Sequence, residues 1–189
     1  MEDTNKVIFA GAGPGDPYLI TVKAMNALKT ADLIIYAGSL VPEAVLCWKG
    51  EKTKTLSSED MDLGQIISTI QKNYSMGKKV IRLHTGDPAL YGAIFEQMRE
   101  LNALNIPFEV IPGVTAAFAA SAKMKMEYTL PEETQTLILT RVSGRTFVPD
   151  AEDLDKLAAH RSALVIYLSL GQIKKVQSIL EIHYGKDSL

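Results

Sequence analysis

Cysteine occurs once in the 189 residues, histidine three times, and no apolar run approaches the roughly 18 residues that a membrane-spanning helix needs. A lone Cys47 excludes an internal disulfide and a paired-cysteine zinc site, so the chain reads as the product of a reducing compartment, with Cys47 itself expected as a small buried hydrophobe. No metal site is expected. The opening MEDTNK is acidic and polar where a secretory leader wants a basic flank and an apolar core. There is no basic block either: 20 Lys and Arg stand against 22 Asp and Glu, a net charge of −2. Nucleic acid is therefore not an expected partner, because neutralising phosphates takes a concentrated basic surface. The expectation is a soluble cytoplasmic protein that acts on small molecules, polyanionic ones included.

What is present is alternation. The apolar runs VIFA (7–10), LIIYA (33–37), KKVIRL (78–83) and FEVI (108–111) read as strands. Between them, three-and-four spacing of apolar residues predicts helices from Thr21, over 62–76 with Leu63, Ile66, Ile67 and Ile70 on one stripe, and over 91–104 with Ile94, Phe95, Met98 and Leu101 inward. β-Branched strands joined by helical crossovers predict an α/β fold with a mostly parallel sheet and helices on both faces. A small-residue helix over 114–122 precedes a polar segment, 123–133, that serves as the expected hinge. Beyond it TLILT (136–140), a helix over 150–159, ALVIYL (163–168) and a helix over 172–184 begin a second α/β unit. Two domains, 1–122 and 123–189, are expected. The second would hold only two visible strands, and an open edge of that kind suggests that more chain follows Leu189.

Three glycine-bearing segments stand at strand ends: GAGPGDP (11–17), HTGDPALYG (84–92) and PGVTAAFAASA (112–122). In the first, Asp16 occupies the place of the third glycine of a dinucleotide fingerprint, and no GK-Ser/Thr follows as a phosphate-binding loop requires. Pro14 also lacks an amide hydrogen that an anion nest would use. The loop therefore suits an uncharged or cationic ligand better than a phosphate. Ligands of open parallel sheets bind beyond the carboxyl ends of the strands, so two such loops at neighbouring strand ends could form one pocket. Asp16 and Asp87 could equally cap the helices that follow them.

Taken together, the three segments resemble the tetrapyrrole methylase family, which transfers a methyl group from S-adenosylmethionine to intermediates of cobalamin and sirohaem synthesis. YAGSLV (36–41), RLHTGDPALYGAIFEQM (82–98) and TLPEETQTLILTRVSGRTFVP (129–149) are similar to its precorrin-4 branch, which methylates carbon 11 of the macrocycle. The resemblance implies two α/β domains, a homodimer, and S-adenosyl-L-methionine as cofactor with S-adenosyl-L-homocysteine as product. It places Pro14 against the adenosine, Gly86 and Asp87 at the methionine end, Thr115 and Ala116 as a third contact, and Leu168 on the adenine side. Tyr36 and Tyr91 fall near the cleft. The implied substrate, precorrin-4 or cobalt-precorrin-4, carries many carboxylates, for which Arg141 and Arg145, flanking a glycine turn, offer forked donors. Family members continue for several dozen residues past the position of Leu189.

Methyl transfer from a sulfonium is an in-line displacement that depends on positioning more than on acid-base groups, and no catalytic triad is visible. His84, beside the second glycine loop, is the one weak candidate base, since an imidazole there could titrate near neutrality; a hydrogen-bonded strand-end histidine is the favoured reading. Other functions stay open: a methyltransferase of the same fold acting on another tetrapyrrole, RNA or protein, a non-catalytic cofactor-binding module, or a nicotinamide oxidoreductase.

Overall fold

A computed structural model describes residues 5–38, 40–144 and 146–187, which fall into two compact units, one running through Ala119 and the other from Ala120. The first is built on five strands, β1 (Val7–Gly11), β2 (Leu33–Tyr36), β3 (Lys54–Ser57), β4 (Val80–His84) and β5 (Phe108–Ile111), in the order β3-β2-β4-β1-β5. Every pairing is parallel, with Ile8 opposite Ile81 on one side of β1 and Glu109 on the other. Such a sheet needs cover on both faces, and the period-two alternation of its side chains feeds two separate cores. Val7, Phe9, Leu33, Ile35 and Val80 point to one side, against Ile66, Ile67 and Ile70 of α2 (Leu63–Ser75) and Ile94 and Leu101 of α3 (Ile94–Ala103). Ala10, Ile34, Ile81, Leu83 and Ile111 point to the other, against Ala24 and Leu28 of α1 (Val22–Thr30) and Val45 of a 3-10 helix over Glu43–Trp48.

The helices start where their caps dictate. Thr21 accepts a hydrogen bond from the Ala24 amide at 3.2 Å. Asp62 and Gln65 form a reciprocal capping box, with side chain to backbone distances of 2.8 and 3.0 Å. A last helix, α4 (Ala116–Met124), follows β5. In the second unit β6 (Leu137–Arg141) and β7 (Ala163–Tyr167) pair in parallel. Around Val142, Leu154 and Val176 they pack with α5 (Leu154–Ala158) and α6 (Ile173–Tyr184).

The expected α/β class, the mostly parallel sheet and its two helical layers are all present. Several expectations fail locally. Strand β3 was not anticipated: KTLS is polar, exposed at all four positions, and held in the sheet edge by β2 alone. The helix expected over 91–104 begins only at Ile94, because Tyr91 and Ala93 both take left-handed backbone conformations. Phe95 is 69% exposed, so the inward stripe of α3 is Ile94, Met98 and Leu101 without it. Cys47 is exposed as well, on the outer side of its 3-10 helix, and not the buried hydrophobe expected. The region over 150–159 is a 3-10 turn followed by a five-residue helix, broken where Asp153 caps the second element.

These positions differ sharply in what truncation costs. Ile70→Ala, at a site with no solvent exposure, is expected to lower the unfolding free energy by about 2–5 kcal/mol. Phe95→Ala is expected to stay within about 0.5 kcal/mol of the parent in the same denaturant titration.

Candidate functional site

Because β1 lies between β4 and β5, the three glycine-bearing segments emerge side by side at the carboxyl edge of the first sheet. They meet backbone to backbone. The Ala12 amide donates to the His84 carbonyl at 2.7 Å, and Gly13 and Gly86 exchange amide hydrogen bonds at 3.3 and 2.8 Å. A Cβ placed on Gly11 would lie 2.5 Å from both the Gly113 Cα and the Gly86 carbonyl oxygen, and one on Gly113 would collide with that same oxygen. No side chain fits at either position, and this close approach is the physical reason for glycine there.

Asp87 ties the arrangement together. One carboxylate oxygen accepts the Ala89 amide at 2.8 Å and the other accepts the Gly113 amide at 2.9 Å, which joins the β4 loop to the β5 loop. Asp16 acts differently: it accepts the Tyr18 amide at 2.8 Å and caps the 3-10 helix Pro17–Leu19. Behind the first loop, the Trp48 indole donates to the Pro17 carbonyl at 2.8 Å, packs edge-on against Tyr18, and lies beneath Lys29. Pro14, Gly86, Asp87 and Thr115 are half-buried in this loop cluster and Ala116, which opens α4, is exposed. Tyr36, half-buried at the end of β2, packs on the α1-side core, whereas Tyr91 is 42% exposed in left-handed backbone beside Gly92.

In the second unit Leu168 follows β7, 71% exposed and again in left-handed backbone. Arg141 donates from its two terminal nitrogens to the carbonyls of Thr146 and Phe147, at 2.9 and 2.8 Å, and so pins the following loop. Arg145 lies outside the described residues. Among those that are described, no group of three or more His, Cys, Asp or Glu could hold a metal ion and no helix is long and apolar enough to cross a membrane.

His84 is the hydrogen-bonded strand-end residue of the favoured reading, not the candidate base. It is 4% exposed, its ring is 6.0 Å from that of Phe9, and its Nε2 is the one buried side-chain polar atom without a partner among the described residues. Burial, and then the neighbouring Arg82 charge, push its pKa down from the usual 6.5 to about 3, against a hydrogen bond with the Gly92 backbone. It does not titrate near neutrality. A base working at neutral pH has to lie closer to that range.

Residues 6–188 match the family of tetrapyrrole (corrin/porphyrin) methylases. The chain belongs to this family. The methylase is 48% identical over its whole length to a cobalt-precorrin-4 C(11)-methyltransferase of Methanocaldococcus jannaschii, of which it spans 73%. It is 47% identical over 182 residues, 96% of its length, to a precorrin-4 C(11)-methyltransferase of Pseudomonas aeruginosa, spanning 72% of that protein. Among solved structures it superimposes on a cobalt-precorrin-4 methyltransferase with a TM-score of 0.91 at 43% identity, covering 94% of this chain and 74% of the other. A uroporphyrin-III C-methyltransferase of Thermus thermophilus, solved with S-adenosyl homocysteine, gives 0.74 at 26% identity, covering 97% and 74%.

Three residues beside the glycine loops, Arg82, Gln97 and Trp48, were not among the candidates expected from the sequence. Arg82 and Gln97 are buried polar residues whose signal was available: an arginine inside an otherwise apolar strand of a parallel sheet is out of place unless something holds it. Trp48 gave no comparable signal, since only the fold brings it under Pro17.

Two outcomes follow from this geometry. Gly113→Ala is expected to cost at least about 1–3 kcal/mol of stability, read by chemical denaturation, because backbone and not a flexible side chain must yield. The second concerns acid. The unfolded chain takes up a proton on His84 below its ordinary pKa of 6.5, and the folded chain resists until about 3. Stability contributed by neutral His84 is thus complete above that upper value and falls with decreasing pH through the window, by up to about 1.4 kcal/mol per pH unit. His84→Gln should flatten the stability profile between about pH 6 and about pH 4, and a slope unchanged from the parent would contradict the assignment.

Proposed function

We propose that this chain is an S-adenosylmethionine-dependent C-methyltransferase that methylates carbon 11 of precorrin-4, or of its cobalt form, in corrin ring biosynthesis. The observation that carries this reading is the identity of 48% and 47% to relatives named for that reaction, sustained over nearly the whole chain and so through all three glycine loops.

The loops fit the cofactor. Their backbones pack with no side chain between Gly11 and Gly113, so the edge that an adenosine would meet is backbone. Pro14 offers no amide hydrogen, which suits a cofactor without phosphates. Each oxygen of Asp87 takes one backbone amide and keeps a further lone pair, so the carboxylate can receive an ammonium group without losing its structural bonds. In this reading Pro14 lies against the adenosine, Gly86 and Asp87 hold the methionine end, Thr115 and Ala116 form the third contact and Leu168 the adenine side, with Tyr36, Tyr91, Arg141 and Arg145 toward the macrocycle. When bound, the cofactor supplies an electrophilic methyl group on its sulfonium. The chain's own part is to fix two reactants in line: Asp87 and the glycine backbones orient one, and the residues facing the macrocycle orient the other. His84, neutral and buried, holds the β4 loop through Gly92 and does not take the proton. The reading includes two domains, 1–122 and 123–189, a homodimer, and action in the cytoplasm.

Calorimetric titration with S-adenosylhomocysteine, beside NAD and ATP as controls, tests the cofactor, and a mass increase of one methyl group on precorrin-4 tests the reaction. Selective binding and that increase are expected; binding of NAD in place of S-adenosylhomocysteine would overturn the reading. Asp87→Asn is expected to weaken S-adenosylhomocysteine binding about tenfold to a hundredfold, as loss of a charged hydrogen-bond partner does.

A further inference from the structure

Arg82 is buried to 5% exposure on the α2/α3 side of the sheet and stays cationic: burial lowers its pKa only to about 10. Its Nε donates to Gln97 Oε1 at 3.2 Å and one terminal nitrogen donates to the Ile35 carbonyl at 3.3 Å. Gln97, itself 4% exposed, is oriented by its own helix, donating from Nε2 to the Ala93 carbonyl at 3.0 Å. Both partners of the guanidinium are neutral. Among the described residues no carboxylate forms an ion pair with it, although Glu59 and Glu96 stand nearby. A buried cation without a counter-charge is costly, and proteins retain one where something else supplies the anion.

The side chain is not sealed in. The remaining donors of Arg82 are not among the buried atoms lacking partners, and the residue lines a cavity of about 390 Å³ with Gln97, Ser58, Glu59, Gly92 and Glu96. That cavity opens past the carboxyl ends of β2, β3 and β4, where Ser58 and Gly92 lie, so it shares the 85–93 loop with the Asp87 cluster. Gly92 cannot carry a side chain there, because a Cβ would run into the Pro88 carbonyl. The glutamates at the rim limit the charge of an occupant: a phosphate dianion would meet two carboxylates, whereas a single carboxylate reaches the guanidinium fork past them.

We infer that the cavity over Arg82 is a subsite for one carboxylate-bearing arm of the macrocycle, gripped by the open donors of a guanidinium that Gln97 and the Ile35 carbonyl hold in place. This rests on the reading of the chain as a methyltransferase of a polycarboxylate tetrapyrrole, and it names a substrate contact in the first unit.

The experiment is a fluorescence titration of the full chain with uroporphyrin, and with the same ring after its carboxylates are converted to primary amides. S-adenosylhomocysteine affinity is measured alongside as the control for folding. The parent should prefer the acid to the amide by at least about tenfold, and Arg82→Met should lower that preference by at least about threefold while keeping S-adenosylhomocysteine affinity. Arg82→Lys, which keeps the charge but not the fork, should fall between them, and it decides the matter if Arg82→Met does not fold. A parent with no preference, or a folded variant that keeps the parent's preference, overturns the subsite. A parent that prefers the acid but adds no methyl group to precorrin-4 overturns the reading of function and leaves the subsite standing.

Discussion

Three backbones approach within contact distance at the carboxyl edge of the first sheet, and everything else about the site follows from that approach. It is possible only because Gly11 and Gly113 lack a Cβ, and it is directional because β1 runs between β4 and β5 in a parallel sheet. Asp87 then converts proximity into a fixed spacing by accepting one amide from its own loop and one from the next. Trp48 does similar work from behind, holding the first loop at Pro17. This edge of the sheet is therefore mostly backbone, and the side chains that matter are those that fix the backbone's position.

The same sheet treats its two faces unequally. Ile81 and Leu83 of β4 join an apolar core with α1, while Arg82 and His84, one residue out of phase, bring a cation and a neutral imidazole into the α2/α3 layer. These two are electrostatically coupled: the arginine charge helps to keep the histidine unprotonated. A single strand thus delivers apolar packing on one side and two buried polar side chains on the other, in the alternation that any strand provides.

Much of this was legible in the sequence, and the parts that were not share a cause. Strands such as VIFA and LIIY announce themselves because both of their faces are buried in the parallel sheet. The order of the glycine segments was readable too, and strand order made them neighbours. Strand β3 was invisible because KTLS is exposed throughout and takes its shape from pairing with β2. Phe95 and Cys47 misled because apolar character and helical spacing do not say which surface a neighbour will cover. His84 was only half readable for a related reason: its pKa depends on burial and on Arg82, which are facts about three dimensions.

Left-handed backbone at Tyr91 and Ala93, on either side of Gly92, adds a consequence of its own. Two residues with side chains held in a sparsely populated conformation store strain that the surrounding contacts must sustain. Since α3 begins immediately afterwards, release of that strain would let the first turn of the helix rewind, changing the length of the segment that links the Asp87 loop to Gln97. The span from Asp87 to Gln97 is thus set by the contacts that hold this loop and not by local backbone preference.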